Sequence, residues 1–272
     1  MPMPDMARPK PHHLLILGGT AEAAALAHGA IQAFDDRLAV TTSLAGRTEQ
    51  PGPLPGAVRI GGFGGPAGLK HFIDDHAIDL LIDATHPFAD QMARHAREAA
   101  EAAQIPRLML LRPAWRRHPL DRWIEVADIA GAAAVVPRAG RRVFLTVGPS
   151  ELEAFADLTD RYFLVRMIDA PREPVPLMDH EIVLGRGPFT VSGERQLMRR
   201  HAIDTVVAKA SGGAATEAKI IAARELSIPV VMVRRPLPER GERVDSVDAA
   251  LIWIRRRLAL LDRHLRAVST ET

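Results

Sequence analysis

The tetrapeptide His-Ala-Ile-Asp occurs twice in this chain, at 76–79 and at 201–204, each time leading into an apolar run. Further along, Ile-Pro-Arg-Leu-Met-Leu-Leu-Arg-Pro at 105–113 returns as Ile-Pro-Val-Val-Met-Val-Arg-Arg-Pro at 228–236. The two matches come in the same order and flank equivalent helical stretches, so one α/β unit is used twice. Whatever fold the first half takes, the second must take as well.

The first half alternates short apolar runs with helical patterns. The runs lie over 14–17, 38–42, 58–60, 80–83 and 107–111, and the helical patterns over 21–34, 66–76 and 89–103. Strand and helix in strict alternation bury both sheet faces under helices, and a parallel doubly wound sheet is the natural solution. In the second half, runs over 143–147 and 163–167 echo those at 14–17 and 38–42, and Gly148-Pro149-Ser150 echoes Gly18-Gly19-Thr20. The fold class is therefore α/β, with two Rossmann-like doubly wound units. Helices over 128–136 and 245–265 close the units, and the stripe Leu251, Ile254, Leu258 and Leu261 is a core face. The expected division is a loose tail over 1–12, a first unit over 13–118 and a second over 119–272, with the linker inside 113–121. Neighbouring units of this kind can exchange a terminal strand, which order along the chain does not reveal.

Composition narrows the chemistry. An apolar fraction of 47% supplies a packed core, and the absence of cysteine excludes disulfides, thiolate catalysis and thiolate metal sites. No metal site is expected. Net charge is only +2 and there is a single tyrosine, which argues against a nucleic-acid surface. No apolar run approaches ~20 residues, so no membrane span is expected. The first eleven residues, with four prolines, do not resemble a signal peptide, and the cytoplasm is the expected location. The basic residues are almost all arginine; the lysines are Lys10, Lys70, Lys209 and Lys219.

Ligands of open α/β sheets bind beyond the carboxyl ends of the strands. After the first strand, Gly18-Gly19-Thr20-Ala21-Glu22 opens a helix where free N–H groups can meet a phosphate, although Ala23 stands where a third glycine would complete the dinucleotide pattern. After the second strand no acidic residue precedes Glu49; Ser43 and Arg47 offer a hydroxyl and a guanidinium suited to a 2′-phosphate, which tilts the cofactor to NADP. Thr85 and His86, in Asp-Ala-Thr-His-Pro-Phe, end the fourth strand and are expected at the cofactor site. In the second unit the same edge carries Arg166, Arg186 and Lys209-Ala210-Ser211-Gly212-Gly213, a cationic, amide-rich place for an anion.

Taken together, Leu-Gly-Gly-Thr-Ala-Glu, Ser-Leu-Ala-Gly-Arg, Asp-Ala-Thr-His-Pro-Phe-Ala, Arg-Gly-Pro-Phe and Lys-Ala-Ser-Gly-Gly resemble, in order, the motifs of the precorrin-6A reductase family of cobalamin biosynthesis. The resemblance runs from about Leu14 to Pro236. It implies a cytoplasmic, NADPH-dependent enzyme of two Rossmann-like domains with a cleft between them, reducing a conjugated double bond of the precorrin-6A macrocycle to give precorrin-6B without metal or flavin. Relatives in the anaerobic pathway act on the cobalt-containing substrate. The cofactor set would be Gly18, Gly19, Thr20, Ala21, Glu22, Ser43, Arg47, Thr85 and His86. The substrate's carboxylate arms would meet Arg166, Arg186, Lys209, Ser211, Gly212 and Gly213. His86 and Lys209 are placed at the reaction with roles unassigned, and the proton donor is open among His86, Lys209, Tyr162 and water. Two rivals remain. One is a methyltransferase using S-adenosylmethionine, which wants an acidic residue after the second strand. The other is a non-catalytic nucleotide- or tetrapyrrole-binding protein.

Overall fold

A computed structural model describes residues 11–46 and 52–269. In chain order, the first stretch is β1 His12–Leu17, α1 Ala21–Phe34, β2 Leu38–Leu44, β3 Ala57–Ile60, α2 Pro66–Asp75, β4 Leu80–Asp83, α3 Asp90–Ala103 and β5 Arg107–Leu110. The second is β6 Trp123–Val126, α4 Ile129–Ala139, β7 Arg142–Leu145, a 3-10 segment Pro149–Phe155, β8 Tyr162–Met167, β9 Asp179–Leu184, α5 Val191–Arg200, β10 Thr205–Lys209, α6 Ala218–Glu225 and β11 Val230–Val233. The chain closes with β12 Glu242–Val244 and α7 Val247–Ser269. Two six-stranded sheets result, with every pairing parallel. Their orders are β3-β2-β1-β4-β5-β12 and β9-β8-β7-β10-β11-β6. Each follows the dinucleotide-binding order 3-2-1-4-5-6.

The sixth strands are exchanged. β6 follows the first five strands along the chain but pairs with β11, while β12 follows the second five and pairs with β5. One compact unit is therefore 1–112 with 237–272, and the other is Pro113–Pro236. A second unit over 119–272 is not what forms: its last stretch, including α7, returns to the first unit. The reason is physical. An edge strand needs one hydrogen-bonding partner and little sequence of its own, so Trp-Ile-Glu-Val and Glu-Arg-Val carry almost no signal of which of two like sheets they join. Of the tail expected over 1–12, residues 1–10 lie outside the described residues. β1 already begins at His12, whose Nε2 lies 3.0 Å from Asp262 of α7.

The strands are apolar on both faces, as a covered parallel sheet requires. In the first unit Leu14, Ile16, Leu80 and Ile82 pack under α1 and α7, while Leu15, Leu17 and Leu81 pack under α2 and α3. The α7 stripe is the expected core face, with Ile254 and Leu258 buried and Leu251 and Leu261 packed against the same cluster. No helix among the described residues is long and apolar enough to cross a membrane.

The repeated His-Ala-Ile-Asp has a local cause. In both copies the histidine caps the preceding helix, and the alanine takes the left-handed conformation, with φ 46° at Ala77 and 48° at Ala202. Ile78 and Ile203 then donate back to Ile73 and Met198 at 2.9 and 2.8 Å and drop into the core. Asp79 and Asp204 accept from the backbone N–H groups that open β1 and β7. This is a helix stop with a hydrophobic clasp. Left-handed φ costs an L-residue roughly 1–2 kcal/mol, partly offset by the greater freedom of glycine in the unfolded chain. Ala202→Gly is thus expected to stabilise the protein by about 0.5–1 kcal/mol, read as a higher urea midpoint with an unchanged slope.

Candidate active site

In the first unit the chain leaves β1 through Gly18, whose N–H donates to the Ser43 carbonyl at 2.8 Å. A Cβ there would stand 3.0 Å from the Thr42 methyl, whereas Gly19, at φ 104°, has nothing within 4 Å of that position. Gly18 is thus small for packing, and Gly19 for open backbone. Thr20 caps α1: its hydroxyl accepts from Ala23 N–H at 3.1 Å and donates to the Ala84 carbonyl at 2.8 Å. Among the described residues no acceptor takes the N–H of Ala21 or Glu22, so the start of α1 offers amides to an anion. The Glu22 carboxylate in that first turn is paired with Arg112 at 2.9 Å, at the end of β5, which neutralises it. These residues fit a dinucleotide pyrophosphate.

The second-strand residues fall differently. β2 runs two residues further than expected, so Ser43 is inside the strand and only 6% exposed, and the loop begins at Ala45. Arg47 lies outside the described residues. Beside Ser43 in register stands Arg59 of β3, which sequence inspection passed over. Its guanidinium lies 3.9 Å from the Phe63 ring centroid and donates to the Gly61 and Gly62 carbonyls. A lone arginine on a short edge strand just before Gly-Gly-Phe-Gly-Gly was the available signal. At the end of β4, Thr85 is bonded to Asp83, and the Nδ1 of His86 accepts from Phe88 N–H at 3.3 Å. The Ala84 bond to Thr20 joins this turn to the glycine turn, so Gly18, Gly19, Thr20, Ala21, Glu22, Thr85 and His86 are brought together.

The second unit uses the corresponding places otherwise. Gly148 N–H, the counterpart of the phosphate-facing amides, is taken at 2.5 Å by the carboxylate of Glu151. The same carboxylate receives Lys209 Nζ at 2.9 and 3.0 Å. This turn is filled by its own side chain, and Lys209 at the end of β10 is half of an ion pair. Glu151 was not among the expected residues; a carboxylate three residues past a glycine turn was the visible sign. Arg166 is also committed: its guanidinium lies 2.8 Å from Glu194, which is 3% exposed, and 4.0 Å from the Phe189 ring centroid. Arg186 is exposed.

The loop after β10 is held by its carbonyls. Arg235 donates to Ala210 and Ser211 at 3.2 and 2.8 Å, Trp115 Nε1 to Gly213 at 2.9 Å, Phe189 N–H to Ala215 at 3.3 Å and Lys219 to Thr216 at 2.9 Å. Arg-Gly-Pro-Phe and Lys-Ala-Ser-Gly-Gly are therefore neighbours. Among the described residues no acceptor takes the N–H of Gly212 or Gly213. The loop has five of its carbonyls held by these donors and amides to offer, which suits a carboxylate.

Tyr162 is at the other edge. It begins β8, where its hydroxyl donates to Glu181 at 2.9 Å and lies 3.2 Å from His201 Nδ1. Burial, reinforced by the Glu181 hydrogen bond, pushes its phenol up to about 12. A phenol at the strand entry does not reach chemistry at the strand exit, and Tyr162→Phe is expected to leave turnover within about twofold in a steady-state assay. Among the described residues no three His, Cys, Asp or Glu side chains are grouped to hold a metal.

Comparison with known proteins places the whole two-unit chain in one family. The family model described as precorrin-6x reductase CbiJ/CobK matches residues 13–255. The precorrin-6A reductase of Rhodococcus erythropolis is 48% identical over 89% of this chain and 96% of its own length. That of Rhodobacter capsulatus is 41% identical over 89% and 95%. The cobalt-precorrin-6A reductase of Priestia megaterium is 30% identical over 84% and 92%. A solved structure of CobK precorrin-6A reductase superposes with a TM-score of 0.86 at 39% identity, covering 90% of this chain and 97% of that one. The match takes in both exchanged strands and both candidate edges, and the chain accordingly belongs to the precorrin-6x reductase family and is an oxidoreductase.

Proposed function

We propose that this enzyme reduces precorrin-6A to precorrin-6B in cobalamin biosynthesis, with NADPH as the reductant. The observation that carries the reading is the contrast between two like turns. The one after β1 keeps open amides at the start of a 14-residue helix, while the one after β7 is closed by Glu151. The cofactor phosphates therefore belong to Gly18, Gly19, Thr20, Ala21 and Glu22, and the substrate to the second unit's edge. No Asp or Glu lies between Leu38 and Gly46 to hold a ribose 2′-hydroxyl, which favours NADPH over NADH.

The cofactor, when bound, supplies a hydride for one carbon of a conjugated double bond, and a proton completes the other. The chain's own part is to bind and orient. The amides of α1 and the Thr20 cap hold the pyrophosphate, and Thr85 and His86 border the cofactor. Arg186, Lys209, Ser211, Gly212 and Gly213 receive carboxylate arms of the macrocycle. For Lys209 to do so, its ammonium must be shared with or released from Glu151. With Tyr162 at the strand entry, His86, Lys209 and water are left to handle the proton.

Mixing the protein with precorrin-6A and NADPH and following visible absorption tests the reading. Loss of the substrate spectrum with NADPH, and a much slower loss with NADH, is the expected result; no binding of either nucleotide sinks it. The cobalt-containing substrate is the second reading, supported by cobalt-precorrin-6A reductases such as that of Priestia megaterium. Its lower identity, 30% against 48% for the Rhodococcus erythropolis enzyme, supports the metal-free macrocycle as the substrate.

A further inference from the structure

Asp83 closes β4 and is only 5% exposed as a residue. One carboxyl oxygen, Oδ1, accepts both the N–H of Thr85 at 3.1 Å and its hydroxyl at 2.7 Å. Between them Ala84 is tied twice to the glycine turn, its N–H donating to Leu17 at 3.0 Å and its carbonyl accepting from Thr20 at 2.8 Å. The next turn is closed by His86 itself: its carbonyl accepts from Ala89 N–H at 2.7 Å and its Nδ1 from Phe88 N–H at 3.3 Å.

That last bond decides a proton. A backbone N–H only donates, so Nδ1 must carry the lone pair, and the proton of the neutral ring is on Nε2. An imidazolium has a hydrogen on both nitrogens and would set Nδ1–H against Phe88 N–H. The turn therefore stabilises one tautomer and opposes the charged ring. A carboxyl is an expensive anchor for such a turn. Burial raises Asp83 above the usual carboxylate range, only partly opposed by the Thr85 bonds and the Arg107 charge. Such a cost is more often kept where a functional group must be held still.

We propose that Asp83 is a positioning residue, and that the turn it anchors presents His86 to the reacting ligands as a neutral Nε2–H hydrogen-bond donor, not as the general acid. The role given to His86 rests on the reading that this edge holds the cofactor; its tautomer does not. The proton added to the macrocycle then comes from Lys209 or from water.

Imidazole ¹⁵N spectra of the full chain, with the His86 signals identified by their loss in His86→Gln, read the tautomer without cofactor or substrate. The expected spectrum at neutral pH has Nδ1 unprotonated and Nε2 protonated. A protonated Nδ1, alone or with Nε2, overturns the proposal. Asp83→Ala is expected to give a mixture of tautomers and Asp83→Asn to restore one, because an amide oxygen accepts the same two Thr85 bonds. An unchanged His86 spectrum in folded Asp83→Ala removes Asp83 from the role. Where that variant does not fold, Thr85→Val deletes the hydroxyl donor alone and is read the same way. Turnover separates donor from acid independently of Asp83. A glutamine amide falls near the Nε2 position and an asparagine amide near Nδ1, so His86→Gln should exceed His86→Asn about tenfold in kcat. Equal losses in the two variants reject the donor role. Failure of NADPH to bind would instead reject the functional reading and leave the tautomer result standing.

Discussion

Replacing Glu194 by alanine is expected to lower the stability of the protein by about 3–5 kcal/mol, because it strands a buried guanidinium. Glu194 is 2% exposed as a residue, and its carboxylate is the ion-pair partner of Arg166, whose side chain is 11% exposed. Arg166 lies 4.8 Å from the Phe144 ring centroid and 4.0 Å from that of Phe189, and its Nε has no hydrogen-bond partner among the described residues. With the carboxylate gone, the guanidinium loses the ion-pair partner it has in the folded protein. Urea unfolding should show a midpoint lowered by a large fraction of its value. A double variant, Arg166→Met with Glu194→Leu, should recover most of the loss, because an apolar pair of similar volume carries no desolvated charge. A single variant as stable as the parent would show that the pair is not buried in solution. Any loss of turnover that persists in the stable double variant measures what Arg166 contributes to substrate.

Gly212→Ala is expected to reduce turnover by about a hundredfold with a smaller effect on stability. At φ 67° an L-residue is strained, by roughly 1–2 kcal/mol. The new Cβ would also stand 2.0 Å from the Pro113 carbonyl oxygen and 2.8 Å from Arg235 Nη2. The side chain of Arg235 can yield, but the backbone of Pro113 cannot do so cheaply. The loop must therefore move as a whole, and moving it breaks the bonds from Arg235, Trp115 and Phe189 that orient its carbonyls. The amides of Gly212 and Gly213 leave their places with it. Initial rates with precorrin-6A and NADPH, beside a circular dichroism melt, check this; activity within tenfold of the parent would mean that the loop does not touch the substrate.

The candidate site was legible where chemistry is local. Gly18, Gly19 and Thr20 announce a turn because backbone geometry and capping depend on neighbouring residues, and all three stand together at the start of α1. Ser-Gly-Gly after an apolar strand is the same kind of signal. The partners were not legible. Glu151 and Lys209, Glu194 and Arg166, and Arg112 and Glu22 meet across different elements, and no spacing rule links them. A cationic side chain at a strand end reads as a ligand-binding group until its carboxylate is seen. Tyr162 suits proton transfer by residue type, but it opens β8 and stands at the entry of the sheet, a position the apolar run over 163–167 already indicated.

By itself the sequence determined that two like α/β units would form, because the stop at His-Ala-Ile-Asp and the βα turns are short-range features written twice. It also determined on which edge of each sheet the strand exits gather, since parallel strands with helical crossovers put them all on one side. Only the tertiary structure decided which sheet receives β6 and β12, and which charges are already neutralised. Those outcomes depend on pairing between distant residues: the ion pairs join positions 28 to 90 apart, and the edge strands join positions more than a hundred apart, as in Arg107–Leu110 with Glu242–Val244, where strands of three or four residues are chosen by the space left beside a finished sheet.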